Sequence, residues 1–169
     1  MSSDSRVLGG GRVTLTNLDV TTREVPAQPV AAVRRHTSMA TIGDDIAAGF
    51  EQVNAAMETV GIRQVGRPFI VFHGRIDDAT GGDIEICSPV VSPFHGVEEV
   101  YGTQVPGGTI ASTIHRGSYD EMAPAYAAVI TWLDEHGLEP LGPPREYYLN
   151  DLETTKPEDL LTEIAFPIS

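Results

Sequence analysis

Apolar residues recur at steps of three and four through Ile42, Ile46, Phe50, Val53, Met57 and Val60, which predicts one helix over 41–60 with a single apolar stripe. Gly61 follows where a left-handed C-terminal cap belongs. A second stripe, Tyr119, Met122, Tyr126, Val129 and Leu133, predicts another helix. Ser118 and Glu121 have the spacing of a capping box at its start, Pro124 distorts its first turn, and Gly137 is its cap. Between these helices the period shortens to two. Strands are predicted over 20–25, 30–35, 69–73, 83–90, 110–115 and 161–168, with Pro26 and Pro29 marking a bulge or an edge. Gly142-Pro143-Pro144 turns into a further short strand, Arg145 to Asn150. Residues 92–106 and 151–159 read as connections. Residues 1–11 read as a mobile polar leader ending in three glycines, and the alternation of Val13 and Leu15 after Arg12 suggests a first strand.

The pattern occurs twice. Gly61, Gly66 and Pro68 match Gly137, Gly142 and Pro144 at a constant offset of 76 residues, and Phe50 matches Tyr126 at the same offset. Glu85-Ile86-Cys87-Ser88-Pro89-Val90 matches Glu163-Ile164-Ala165-Phe166-Pro167-Ile168 at an offset of 78. Each half reads strand-helix-strand-strand. The fold class expected is α+β: two such modules forming a mainly antiparallel sheet, with both helices on one face and the other face open. The halves span about 20–91 and 107–169 within a domain of residues 20–169, and residues 1–19 precede it as the leader and first strand.

Alternation then divides the strands. In the last strand Ile164, Phe166 and Ile168 are the continuous apolar side, so Glu163 and Ala165 are expected on the open face. The repeat puts Glu85 and Cys87 with them. Glu146 and Tyr148 point the same way as each other, and their repeat mates are Ile70 and Phe72. Placed on that same open face, Glu85, Glu146, Glu163, Tyr148, Ile70, Phe72, Cys87 and Ala165 make an apolar and aromatic patch with three acids and no base. Such a patch suits a hydrophobic cation. Tyr119 and Trp132 lie on or beside the second helical stripe, as core or rim.

Composition narrows the function. In 169 residues a formal net charge of −13 disfavours nucleic acid and anionic membrane as direct partners. A hydrophobic fraction of 41% supports a globular core. The single cysteine, Cys87, forms no internal disulfide and fits a reducing compartment. No apolar run reaches the roughly 18 residues of a membrane span, and no signal peptide is evident, so a cytoplasmic location is expected. His36, His73, His95, His115 and His136 lack paired ligand spacing, so neither a metal nor a cofactor is expected. No phosphate loop and no Ser-centred elbow occur.

The run HRGSYDEMAPAYAAVITWLDEHGLEPLGPPREYYLND, followed by PEDLLTEIAFPIS, resembles the GyrI-like small-molecule-binding domain, also called the AraC-type effector-binding domain. The resemblance covers roughly Val20 to Ser169. It implies pseudo-two-fold strand-helix-strand-strand modules with a ligand groove between them. It also implies bulky, often cationic aromatic ligands held by a buried Glu and surrounding rings. Glu146 takes the anchor position and Glu163 the acid of the last strand, and Tyr119 is a further candidate ligand contact. Ala165 stands where some multidrug-binding members have an aromatic residue. Only about 20 residues precede the matched region, so a stand-alone binder, or a sensor working with a separate regulator protein, is expected rather than a transcription factor.

Three functions fit these residues. The first is binding of a hydrophobic or cationic small molecule for sensing or sequestration. The second is hydrolysis of electrophilic polycyclic compounds, with Glu146 and Tyr148 as catalytic candidates. The third is a protein-interaction module, such as a topoisomerase modulator, using acidic charge.

Overall fold

The computed structural model describes residues 18–77, 79–118, 121–152 and 154–168. The expected leader, and the strand after Arg12, lie outside these residues. The chain runs β1 (Thr21–Val25), β2 (Gln28–Thr37), α1 (Ile42–Val60), β3 (Phe69–Phe72), β4 (Gly82–Pro89), β5 (Tyr101–Val105), β6 (Gly108–Arg116), α2 (Ala123–Glu135), β7 (Arg145–Tyr148) and β8 (Leu161–Pro167). One eight-stranded antiparallel sheet has the order β1-β6-β8-β7-β3-β4-β2-β5. Each half contributes a strand-helix-strand-strand unit preceded by one edge strand, β1 or β5, and β7 and β3 meet at the centre.

Local chemistry explains the helix limits. Asp44 and Asp45 sit in the first turn of α1, where the helix dipole favours negative charge. Gly61 ends α1 with φ 79°, a conformation that costs glycine little. α2 starts later than the capping-box spacing predicts. Ser118 O accepts from Glu121 N at 3.2 Å in a lone turn, and the helix proper begins at Ala123. Pro124 explains the shift, because proline fits a first turn, where its missing N–H goes unused.

β5 falls inside the stretch read as a connection. It is a short edge strand with only Val105 buried, so alternation is faint. Gly102 is needed there because a Cβ would stand 1.8 Å from Phe94 O.

α1 packs on β2 and β4, and α2 on β6 and β8. The face away from the helices is not open, contrary to expectation. Strands β1 and β5 are the two outer edges, yet Pro26–Ala27 join β1 to β2 near the opposite edge, and Pro106–Gly107 join β5 to β6. Such short links draw the edges together and curl the sheet. The links touch: a Cβ on Gly107 would lie 2.4 Å from Ala27 N. The inside of the curl buries Val30, Ala32, Phe69, Val71, Cys87 and Val105. Each large apolar side chain enclosed this way contributes roughly 1.5–3 kcal/mol. No helix among the described residues is long and apolar enough to cross a membrane.

Candidate functional site

The two helices leave β3 and β7 as the floor of a trough between them. Glu146, on β7, pairs across the sheet with Ile70 on one side and Ile164 on the other. Cross-strand partners share a face. Glu146 therefore lies on the helix-covered face, with Ile70, Phe72 and Tyr148, and is only 5% exposed. This corrects the expected single patch. Glu85, Glu163, Cys87 and Ala165 occupy the other face, inside the curl.

The two groups have different electrostatics. Inside the curl each acid already has partners. Glu163 receives Arg23 Nη2 at 2.7 Å and Nε at 3.2 Å, and the Ser112 hydroxyl at 2.7 Å. Glu85 receives the Tyr101 hydroxyl at 2.5 Å and meets His73 Nε2 at 2.8 Å. Burial, followed by the bond and charge of Glu85, pushes the Tyr101 phenol upward. Burial pushes the Cys87 thiol up as well, which makes it a poor nucleophile.

In the trough, Glu146 has two phenols and no cation. Tyr126, from α2, donates to Oε2, and Tyr148 donates to Oε1 at 3.4 Å. No basic side chain forms an ion pair with it among the described residues. Burial pushes its carboxyl up to about 7 against the pull of both phenols. Burial and the adjacent carboxylate raise the Tyr126 phenol in turn. Aromatic edges complete the walls. Phe50 of α1 stands edge-on to Tyr148 at 6.2 Å, and Tyr126 stands edge-on to Phe166 at 6.1 Å.

The sequence places Tyr126 and Phe50 on helical stripes and pairs them by the offset of 76, without assigning either to the site. A tyrosine on a buried stripe needs an acceptor for its hydroxyl, and that was the available signal. Tyr119 lies outside the described residues. No group of three or more His, Cys, Asp or Glu side chains among the described residues could hold a metal ion. A separate open cleft of about 390 Å³ flanks α2 between Leu18–Val20 and Trp132, and none of the trough residues lines it.

The buried carboxyl of Glu146 is thus surrounded by aromatic rings and has no ion-pair partner among the described residues, and the fold around it has relatives. The chain belongs to the family of the GyrI-like small molecule binding domain, whose profile matches residues 18–169. The EcmrR C-terminal domain has a similar structure, with a TM-score of 0.78 and 22% identity, over 91% of this chain and 99% of that one. A hydrolase from Listeria innocua gives 0.65 and 15%, over 89% and 91%. SAV2435, solved bound to tetraphenylphosphonium, gives 0.58 and 9%, over 90% and 94%. Comparison with curated proteins gave no match.

Proposed function

We propose that the chain binds hydrophobic aromatic cations in the trough, for sensing or sequestration, with Glu146 as anchor. The carrying observation is the buried carboxyl of Glu146, which has phenol partners and, among the described residues, no ion-pair partner. A permanent cation brings the missing countercharge into a water-poor site, where the attraction is strongest. Phe50, Tyr126, Tyr148, Phe72 and Ile70 supply ring and apolar contacts. Glu85, Glu163 and Ala165 shape the sheet from within the curl. The tetraphenylphosphonium bound to SAV2435 supports the ligand class by likeness of fold.

The test is calorimetric titration with tetraphenylphosphonium and with neutral triphenylphosphine oxide. Glu146→Gln keeps the shape and removes the charge. It is expected to weaken the cation roughly 10- to 100-fold and the neutral compound by less than about threefold. Equal weakening of both would sink the charge role.

A second reading, hydrolysis of electrophilic polycyclic compounds, is favoured by one feature: a carboxyl near pH 7 bonded to a phenol suits general acid–base work. Glu146 takes the proton of an attacking water, and Tyr126 or Tyr148 orients the substrate. Mass analysis after incubation with such a compound tests it. Product heavier by one water, formed over many turnovers and lost in Glu146→Gln, supports it; no product at catalytic protein levels leaves binding alone.

A further inference from the structure

The open cleft beside α2 has a chemistry of its own. One wall is a single face of the helix, on which Ala128, Trp132 and Glu135 follow at steps of four and three. The opposite wall is the segment Leu18–Val20, pinned where the Thr113 hydroxyl donates to Asp19 O at 2.9 Å. Leu18, Val20 and Trp132 all pack against the core cluster of the second half, which fixes the apolar sides of the cleft. The His136 ring stacks on the indole with 3.9 Å between centroids, and its Nδ1 donates to Trp132 O at 2.7 Å. That stack braces the indole and takes only one of its faces.

Charge around this ring has one sign. Asp19 and Glu135 line the cleft, and no basic residue does. Both acids are exposed, and neither has an ion-pair partner among the described residues. α2 also ends in Asp134 and Glu135 without a basic residue in its last turn, although the helix dipole favours a cation there. Acids at this end work against the helix, so its stability does not account for them. A cation in the cleft meets two carboxylates, the negative end of α2 and an indole, the ring that attracts cations most strongly. The volume of about 390 Å³ admits a small organic ion from solvent without burying its charge. Methyl groups on that charge suit the apolar sides, whereas a bare ammonium is held more firmly by water.

We propose that the α2 cleft is a second cation site, selective for small quaternary ammonium ions. Trp132 is the ring that receives the charge, and Asp19 and Glu135 are its counter-ions. None of the trough residues lines the cleft, so this assignment does not rest on the trough reading.

Trp132 is the chain's single tryptophan, so its fluorescence reports on the cleft. The full chain is titrated with choline and with its neutral isostere 3,3-dimethylbutanol, which has carbon in place of nitrogen. Choline is expected to give a saturable change and to bind at least about threefold tighter than the isostere. Asp19→Asn combined with Glu135→Gln is expected to weaken choline roughly three- to tenfold and to leave the isostere unchanged. Trp132→Phe, followed by calorimetry, is expected to weaken choline about two- to fivefold. Should that variant not fold, the acid variants carry the test, since both side chains are exposed. The proposal is overturned by no saturable response to choline, by equal affinity for the isostere, or by full affinity in the doubly substituted chain. Loss of choline binding in Glu146→Gln overturns it too, because the ion then belongs to the trough. The trough reading fails separately, if tetraphenylphosphonium binds equally well to Glu146→Gln.

Discussion

The phenol of Tyr126 on α2 donates to the carboxylate of Glu146 on β7, and both residues stand where the second half of the chain departs from the first. Their mates at the offset of 76 are Phe50 and Ile70, and Tyr148 has Phe72. All three substitutions add polar atoms to a frame that the first half builds from hydrocarbon. Tyr148 also packs into the core beneath α1, edge-on to Phe50, so its ring serves the scaffold while its hydroxyl faces Glu146. The trough's chemistry is an addition to a repeated scaffold.

That chemistry has a pH signature. The folded protein holds the Glu146 proton up to about pH 7, whereas an unfolded glutamate releases it near 4.5. Between these values the folded state binds more protons, so ligand-free stability falls as pH rises through this window and levels off above it. The loss attributable to Glu146 is at most roughly 3 kcal/mol. Urea unfolding at several pH values should show a shallower decline in Glu146→Gln than in wild type; superimposable profiles would refute the assignment. Affinity for a permanent cation should move oppositely, rising about tenfold per pH unit below 7 and flattening above it.

The division of the acids between two faces predicts unequal mutational effects. Glu163→Gln disturbs the contact with Arg23 and should cost about 1 kcal/mol of stability, because Arg23 is half exposed. It should leave cation affinity within about twofold, as should Glu85→Gln. Titration of the three Gln variants at 85, 146 and 163 checks this. A loss at 163 equal to that at 146 would place the ligand inside the curl instead.

Ser88 presents a simpler case. It is 0% exposed, and its hydroxyl has no partner among the described residues. Its repeat mate is Phe166. Since an unsatisfied buried hydroxyl is a penalty, Ser88→Ala should stabilise the protein by roughly 1 kcal/mol, read as a higher denaturant midpoint at unchanged slope. A clear destabilisation would mean that the hydroxyl is bonded in solution.

Two glycines separate the curl from ordinary helix propensity. A Cβ on Gly107 collides with the backbone of residues 25–27, so Gly107→Ala should destabilise by roughly 2–4 kcal/mol. Gly43, in the first turn of α1, has nothing within 4 Å, so Gly43→Ala should stabilise by about 0.5–1 kcal/mol. Thermal unfolding of both variants compares them directly. Similar small effects would argue against the crossing of the two links.

Much of this molecule was legible along the chain. The helical stripes placed α1 and most of α2. Glycine and proline punctuation placed the turns, and the offset of 76 exposed the two modules. Glu146 and Tyr148 could be assigned to one common face, because adjacent strand residues must alternate. Local sequence could not say which face that was. The segment Phe69-Ile70-Val71-Phe72 is apolar on both sides, since one side meets the helices and the other lines the curl. Periodicity carries no sign there. The pairing of Glu146 with Ile70 and Ile164 supplies it, together with the short links that close the sheet on itself. Those are long-range contacts between segments far apart in the chain. They separate three acids that look alike in sequence into two with resident partners and one, Glu146, held against two phenols without a cation.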